Sequence, residues 1–311
     1  MLTTLMVVLP IFALILVGYG CRKIGVLGPH ATSELNRFVV YLALPALLFD
    51  VMAHTTWATF YQPGFIAAFG LGSLIVFGLT VALRLRRPRH LADASVDGLN
   101  AGYANVGFIG FPLSLIVFGK DSLAPTTIAA IITVCVVFAL AIVLIEIGLQ
   151  TEAHPARLVW KVARSLAKNP LLVAPALGAV FAATGLPMPL SAETFFKLLG
   201  AAASPCALVA LGLFLAEDRP AAAGDTTSSL LLTVLKLGLH PAITWALATY
   251  AFHLAPLLTH VAVVLAALPT GTGPFMLAEF YEREASVTAK TILISTIGSL
   301  ATVTAYLAWI A

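Results

Sequence analysis

The segment 262–281 is long and apolar enough to cross a lipid bilayer, yet its middle reads Pro-Thr-Gly-Thr-Gly-Pro over residues 269–274. Each proline removes a backbone donor and clashes with the preceding turn of a helix. Each glycine weakens a helix further. Two prolines and two glycines in so short a stretch are incompatible with a continuous α-helix. The segment is therefore predicted to be two half-helices joined by an unwound stretch.

This break has a direct consequence for function. An unpaired backbone group costs several kcal/mol in hydrocarbon, so an unwound stretch persists only where it is buried in protein or lines a wet cavity. The N-terminal end of a helix carries a partial charge of roughly +0.5, which favours an anion. The sequence thus predicts a cavity near the middle of the membrane, bordered by half-helix ends and suited to an anionic ligand.

The composition excludes an ordinary soluble domain. The 311 residues are 60% hydrophobic and 10% charged, and the mean hydropathy is +1.01. These values indicate a polytopic helical membrane protein embedded in a lipid bilayer, since each spanning helix needs about 20 apolar residues. The net charge of +3 gives no reason to expect a nucleic-acid partner. Scattered Cys21, Cys135 and Cys206 form neither a disulfide framework nor a metal-ligand pattern, and we expect no metal or other cofactor.

Apolar runs and their charged or Pro/Gly-rich boundaries predict ten membrane spans. The first is interpreted as a retained span, because no small-residue cleavage site follows it. The connections are short, and the longest, 150–169, is the natural midpoint of the chain. The predicted spans are 3–21, 35–53, 63–83, 98–118, 124–149, 170–185, 192–216, 229–252, 257–281 and 287–310.

Lysine and arginine are distributed unevenly between the two sets of loops. Loops after odd-numbered spans carry nearly all the basic residues outside the spans, whereas the other loops carry only Lys120. This bias predicts that the odd loops are cytoplasmic, and that both termini are periplasmic or extracellular. The run from Arg84 to Arg89 is interpreted as a topogenic loop in contact with lipid.

The two halves of the chain repeat. A glycine and a proline recur 160 residues later, and a second proline and a phenylalanine recur 162 residues later. Because five spans per copy is an odd number, the copies are predicted to be inverted in the membrane. The predicted units are a first repeat at 1–149, a cytoplasmic connecting loop at 150–169 and a second repeat at 170–311. The matched pairs are Gly25 with Gly185, Pro45 with Pro205, Pro112 with Pro274, and Phe118 with Phe280.

The repeat places a second break in span 4, where residues 105–112 read Asn-Val-Gly-Phe-Ile-Gly-Phe-Pro. Paired interruptions at corresponding positions of two halves are the best sequence indicator of a transporter binding site. The predicted fold class is therefore an all-α polytopic membrane protein with ten transmembrane helices in two inverted five-helix repeats. Helices 4 and 9 are predicted to be broken and to cross near the middle of the membrane.

Four motifs together carry a family resemblance. They are LPIFALILVGYGCRKIG at 9–25, LALPALLF at 42–49, YANVGFIGFPLSLIVFG at 103–119 and LPTGTGPFMLAEFY at 268–281. With them the chain resembles the auxin efflux carrier family, whose bacterial members are small secondary carriers of organic anions. The resemblance implies ten spans, an inverted five-span repeat, two crossing broken helices and a homodimer formed through spans 2 and 7. The C-terminal run from 267 to 300 further resembles the malonate carriers of that family.

The predicted substrate-binding residues surround the two breaks. The amide of Asn105 can donate to a carboxylate, or it can replace a missing backbone partner. The hydroxyls of Thr270 and Thr272 can bind substrate or bond back to the helix. Pro112, Pro269 and Pro274 are assigned to breaking the helices. Four glycines can let backbone N–H groups approach a ligand or can serve helix packing, namely Gly107, Gly110, Gly271 and Gly273.

Three ionisable residues within the spans are candidates for coupling or for charge compensation. Asp50 could carry a proton with the substrate, or it could reach interfacial water near His54. Lys236 could neutralise a substrate carboxylate, although snorkelling to the cytoplasmic surface is the favoured interpretation. His240 lies one turn later on the same face and could be only a polar packing residue. Glu146, near a span end, is interpreted as solvated at the interface.

The leading functional hypothesis is a secondary active transporter of a small organic anion, malonate or a related carboxylate, in a bacterial inner membrane. Alternating access would move one bundle against the other, and the coupling ion could be H⁺ or Na⁺. The alternative is an ion or anion channel, or a ligand sensor, on the same scaffold. An enzyme is not expected, because the chain has no HExxH, no Asp-rich prenyl-diphosphate motif and no pair of buried acids placed to meet.

Overall fold

The structure is a computed structural model that describes residues 2–54, 61–86, 88–150, 155–217 and 226–310. Within these ranges the protein is all-helical, with one isolated β-bridge and no strand. The helices are α1 Leu2–Lys23, α2 Ala31–Ala53, α3 Pro63–Leu85, α4 Leu91–Gly102, α5 Val106–Phe118, α6 Lys120–Leu149, α7 Pro155–Lys168, α8 Pro170–Ala183, α9 Leu190–Ala216, α10 Thr226–Ala251, α11 Pro256–Ala267, α12 Gly273–Phe280 and α13 Ala285–Ile310.

The described helices are those of a polytopic membrane protein. Six of them are each long and apolar enough to cross a membrane, and the number rises to seven if the bent pair α7 and α8 counts as one span. Two shorter apolar helices, α5 and α11, belong to the predicted spans 4 and 9. Both of these spans are interrupted, as the glycines and prolines in them predict.

The connecting segment 150–169 differs from the prediction of a loop. Over its described part it forms α7, which begins at Pro155. Proline is favoured at the first helical position, because the N–H that it lacks would have no partner there. The residues 151–154 lie outside the described part of the chain.

Three helices contain a π-helical turn that ends two residues before a proline. These turns are Val39–Ala43 before Pro45, Val106–Gly110 before Pro112, and Leu235–Leu239 before Pro241. Proline offers no N–H to the preceding turn and clashes with it, so the backbone widens locally. Pro45 is therefore accommodated by a widened turn within α2.

Glycines bring two helix pairs into close backbone contact. α1 packs against the second half of α9, where a Cβ on Gly18 would lie 2.2 Å from the carbonyl oxygen of Val209. α8 packs against the second half of α2, where a Cβ on Gly178 would lie 2.5 Å from the carbonyl oxygen of Phe49. Lipid tails are as apolar as leucine, so membrane helices depend on such close van der Waals contact for their association.

Two interpretations of charged residues are wrong. Arg84 is buried rather than in contact with lipid, and its Nε lies 2.6 Å from Oδ2 of Asp97 while its Nη2 donates to Ser228 at 2.8 Å. Glu146 is buried rather than solvated, and its Oε1 accepts a hydrogen bond of 2.7 Å from the hydroxyl of Tyr281. In both cases a partner far away along the chain forms a hydrogen bond with the buried group, as burial requires.

Replacement of Gly212 by alanine is expected to lower the melting temperature of the detergent-purified protein. The new Cβ would lie 2.0 Å from the carbonyl oxygen of Ile15, so α1 and α9 must move apart. Overpacking of this kind costs about 1–3 kcal/mol. Gly78→Ala is the matched control, because a Cβ there meets nothing within 4 Å. Equal melting temperatures for the two variants would contradict the close contact.

Candidate functional site

The two interrupted spans meet at their breaks. α4 ends at Gly102 and α11 ends at Ala267, and each is followed by an extended residue. An antiparallel bridge joins Ala104 to Thr270. In this bridge the N–H of Asn105 donates to the carbonyl of Pro269 at 2.9 Å, and the N–H of Gly271 donates to the carbonyl of Tyr103 at 3.2 Å. Each unwound stretch thus supplies partners for the other.

Side chains satisfy further groups at the crossing. Thr270 is fully buried, and its Oγ1 donates to the carbonyl of Asn100 at 2.7 Å, near the end of α4. Its backbone N–H donates to Oγ of Ser295 on α13 at 3.2 Å. Thr270 therefore holds the crossing together through contacts with α4 and α13, and its role in substrate binding stays a prediction.

Lys236 is fully buried, so the interpretation that it snorkels to the surface is wrong. Its Nζ donates to the carbonyl of Ala266 at 2.6 Å, in the last turn of α11. The last carbonyls of a helix lack intrahelical partners and carry partial negative charge. The amino group of Lys236 therefore caps the half-helix that leads into the break.

His240 continues this buried polar chain. Its Nδ1 lies 3.1 Å from Nζ of Lys236, and its Nε2 lies 3.0 Å from Oγ of Ser73. The hydroxyl of Ser73 donates to the carbonyl of Phe69 at 2.9 Å, so its own proton is already used. Nε2 must then be the donor to Ser73, and Nδ1 the acceptor from Lys236. The chain links α3 and α10 to the end of α11.

A cavity of about 320 Å³ lies at the crossing. Its walls come from both breaks and from α2, α5, α6, α9 and α12. The lining residues are Leu44, Leu47, Val51, Tyr103, Ala104, Asn105, Val106, Gly107, Phe108, Phe111, Ala130, Thr133, Val134, Gly200, Ala201, Ala203, Ser204, Pro205, Ala207, Thr272, Gly273 and Met276.

Four of the predicted substrate-binding residues line this cavity. They are Asn105, Gly107, Thr272 and Gly273. Asn105 stands at the start of α5, and its side chain makes no capping hydrogen bond to the turn that follows. A Cβ on Gly107 would meet nothing within 4 Å, so this position opens into free space. The structure therefore brings together residues from both breaks at one surface.

The other predicted glycines lie in packing contacts. A Cβ on Gly271 would lie 2.7 Å from the ring of Tyr103, and one on Gly110 would lie 3.1 Å from the side chain of Leu265. Their small size lets the two broken segments approach each other. Among the prolines, Pro274 occupies the first turn of α12. The assignment of Pro112 to breaking the helix is wrong, because Pro112 lies within α5 after its π-helical turn and the backbone unwinds earlier, at 103–105.

The described lining of the cavity carries no charged side chain. Its polar side chains are those of Tyr103, Asn105, Thr133, Ser204 and Thr272, and Gly107 and Gly273 bring the starts of α5 and α12 to the wall. The first N–H groups of a helix have no intrahelical acceptor and bear partial positive charge. A guest that accepts hydrogen bonds is therefore favoured in this cavity over one that donates them.

The structure does not bring the three ionisable candidates to the cavity wall. In the described part of the chain Val51 lines the cavity, whereas Asp50, Lys236 and His240 do not. Nδ1 of His54 lies 2.9 Å from the backbone carbonyl of Asp50 and 3.1 Å from its Oδ1. Asp50 thus has a histidine neighbour near the end of α2, as the sequence spacing suggested.

Three polar wall residues are not among the predicted site residues, namely Tyr103, Thr133 and Ser204. Thr133 belongs to an apolar run in α6 with no glycine or proline beside it, so no local signal distinguishes it. Its Oγ1 donates to the carbonyl of Ala129 at 2.7 Å, so the hydroxyl oxygen can act only as an acceptor toward other groups. Ser204 directly precedes Pro205, the repeat partner of Pro45, and both residues line the cavity. Within the described residues no group of three His, Cys, Asp or Glu side chains is placed to hold a metal ion.

Comparison with known proteins agrees with this geometry. Two interrupted helices that pair around a cavity are typical of secondary transporters. A family profile described as membrane transport protein matches residues 3–307. The chain belongs to this family, which includes the auxin efflux carriers, and it is a multi-pass membrane transport protein and not an enzyme.

Three relatives illustrate the breadth of the family. A protein of Rhizobium meliloti (strain 1021) named "Putative malonate transporter" is 31% identical, over 96% of this chain and 93% of its own length. The uncharacterized transporter YfdV of Escherichia coli (strain K12) is 25% identical, over 94% and 93%. Auxin efflux carrier component 8 of Arabidopsis thaliana is 20% identical, over 96% and 94%.

Replacement of Gly271 by alanine is expected to lower the melting temperature, because the new methyl group would overlap the ring of Tyr103 and force the bridge apart. The cost of such overpacking is about 1–3 kcal/mol. Gly107→Ala is the matched control at the other break, where a Cβ meets nothing within 4 Å. Thermal unfolding of both variants in detergent is the measurement. A Gly271→Ala protein as stable as Gly107→Ala would argue against the crossing.

Proposed function

We propose that this protein is a secondary active transporter of a small carboxylate, with malonate as the first substrate to test. The observation that carries the proposal is the cavity at the crossing, where two helix N-termini and the amide of Asn105 border a wall without charged side chains. The name of the Rhizobium meliloti relative supports malonate in particular.

The cavity suits a small anion for physical reasons. Its volume of about 320 Å³ lies at the lower end of the range of small-molecule sites, which run from about 300 to 1,000 Å³. The N-terminal ends of α5 and α12 border the cavity, and a helix N-terminus carries a partial positive charge of roughly +0.5. Fixed dipoles of this kind hold an anion without a permanent ion pair, so release to either side of the membrane stays possible.

We further propose ten spans in two inverted repeats, with units 1–149 and 170–311 joined by 150–169. Two observations beyond the sequence support this arrangement. Gly25 and Gly185, which are 160 residues apart, both have positive φ, of 76° and 66°. The contact of Gly18 with Val209 and that of Gly178 with Phe49 are also related by 160 residues, with the roles of the two repeats exchanged. Alternating access would move one bundle against the other around the crossing.

The proposal places the protein in a bacterial inner membrane with the odd loops in the cytoplasm and both termini outside it. Met1 and Ala311 themselves lie outside the described residues. A homodimer is proposed from the resemblance alone. The coupling ion is left as H⁺ or Na⁺, with Asp50, Lys236 and His240 as the candidate residues.

Proteoliposomes that contain the purified protein are expected to accumulate labelled malonate, and Asn105→Ala is expected to lower the uptake by about 10- to 100-fold. The range follows from the loss of one hydrogen bond to a charged group, about 1.5–3 kcal/mol. Asn36→Ala is the matched control, because Asn36 is a buried asparagine away from the cavity wall.

Two outcomes would count against the proposal. Unchanged uptake by Asn105→Ala would remove that residue from the site while leaving transport intact. A folded protein that transports no mono- or dicarboxylate would refute the proposed function, and an ohmic current in its place would favour a channel.

A thermal-shift screen is expected to identify the coupling ion from the change in melting temperature that a substrate causes. Small carboxylates are added with and without sodium at two pH values, since a ligand that binds only the folded state raises the melting temperature. A larger substrate-induced shift in sodium indicates a sodium-coupled site, and a larger shift at the lower pH indicates proton coupling. Equal shifts under all four conditions would argue that the substrate binds without a co-transported ion.

A further inference from the structure

The helix α7 between the two proposed repeats carries its charge on one face. At 100° per residue the four basic side chains fall within an arc of about 60°. The helix sequence PARLVWKVARSLAK contains no acidic residue. The basic residues are Arg157, Lys161, Arg164 and Lys168.

An apolar strip runs beside this basic face. Val159 is 68% exposed and Trp160 is 70% exposed, and Ala163 and Ala167 on the same side are also exposed. Leu166 lies two turns after Val159 on the same side of the helix, and it packs against the main hydrophobic core. The C-terminal part of α7 therefore rests on the protein, while Val159, Trp160 and the four basic residues are exposed.

The direction of α7 follows from the corner that joins it to α8. The segment Val159–Lys168 makes an angle of 71° with Pro170–Ala183, and only Asn169 separates them. The side chain of Asn169 accepts from the N–H of Leu171 at 3.0 Å and thereby caps α8. Because α8 is apolar and belongs to the membrane-embedded bundle, a helix at this angle runs close to the plane of the bilayer.

We propose that α7 lies on the membrane surface and binds anionic lipid headgroups. Trp160 and Val159 would enter the boundary between headgroups and acyl chains, and the basic face would contact lipid phosphates. Amphipathic helices of this composition bind in the interfacial plane through buried apolar area and attraction to anionic lipid. A soluble acidic partner fits less well, because it would leave the indole of Trp160 in water.

Lipid binding by α7 would anchor the middle of the chain to the membrane surface. Asn169, at the corner, lies 3.4 Å from the hydroxyl of Tyr281, which follows α12. Lipid bound along α7 thus fixes the start of α8 and the contact of this corner with the end of the second broken span. This inference goes beyond the proposed function and does not depend on which substrate is carried.

The test uses the fluorescence of Trp160 in the full-length protein. Trp57, Trp245 and Trp309 are replaced by phenylalanine, and the protein is reconstituted into vesicles of phosphatidylcholine with or without phosphatidylglycerol. We expect emission at shorter wavelength and stronger quenching by brominated acyl chains when phosphatidylglycerol is present. High salt is expected to reduce this difference, because it screens the attraction.

Charge variants separate headgroup binding from simple contact with the bilayer. In the same background, Arg157→Gln/Arg164→Gln is expected to weaken the phosphatidylglycerol effect, by about fivefold in the docking equilibrium for each charge removed. Arg37→Gln/Arg86→Gln is the matched control, since both arginines are exposed and lie outside α7. The control is expected to leave the emission of Trp160 unchanged.

Two results would overturn the proposal. Water-like emission of Trp160 in both lipid mixtures, with free access of iodide, would show that the face is open to soluble partners and not to lipid. Equal quenching in both mixtures, unaffected by the arginine substitutions, would show bilayer contact without recognition of anionic headgroups. Melting temperatures of all variants confirm that each one is folded.

Discussion

The backbone bridge between Ala104 and Thr270 is the interaction on which the rest of the structure depends. Two peptide stretches without helical hydrogen bonds lie inside a protein that is otherwise built of apolar helices. An unsatisfied N–H or carbonyl in such surroundings costs several kcal/mol, so neither stretch is stable by itself. The crossing solves this problem, because each break supplies a donor and an acceptor to the other. The cavity lies at the crossing because α4 and α11 end before the paired stretches and α5 and α12 begin after them.

Side chains around the bridge form hydrogen bonds with further backbone groups near the breaks. Thr270 and Ser295 satisfy backbone groups of the breaks, and Lys236 caps the end of α11. At the cavity the starts of α5 and α12 contribute Gly107 and Gly273 instead. The crossing therefore has a structural side, where side chains cap carbonyls, and a cavity side, which is bordered by two helix N-termini with partial positive charge.

The described cavity wall has no charged side chain, and the described ion pairs lie elsewhere. Arg84 and Asp97 join α3 to α4, and Arg89 lies 2.8 Å from Glu284 in the turn before α13. Burial raises the pKa of Glu284 above its usual value, and the neighbouring Arg89 opposes this shift. These ion pairs connect both broken spans to the helices beside them. A carrier of the proposed kind needs such rigid units, because alternating access moves whole bundles.

The sequence by itself determined that two spans are interrupted. Proline and glycine act within one turn of their own positions, so the interruption between Pro269 and Pro274 and the membrane-embedded class could be predicted from local rules. In span 4 the backbone unwinds at 103–105, just before the predicted stretch 105–112, and Pro112 lies within α5. Only the tertiary structure showed that Lys236, Arg84 and Glu146 are buried and which groups they bond. Most of their partners lie far away along the chain, and no local pattern identifies them. The tertiary structure also decided that Gly107 opens into the cavity whereas Gly110 and Gly271 are packed, since a glycine looks the same in sequence whichever neighbour the fold brings to it. Features set by neighbouring residues, such as the helix breaks, could thus be predicted, whereas contacts between residues distant in the chain required the tertiary structure.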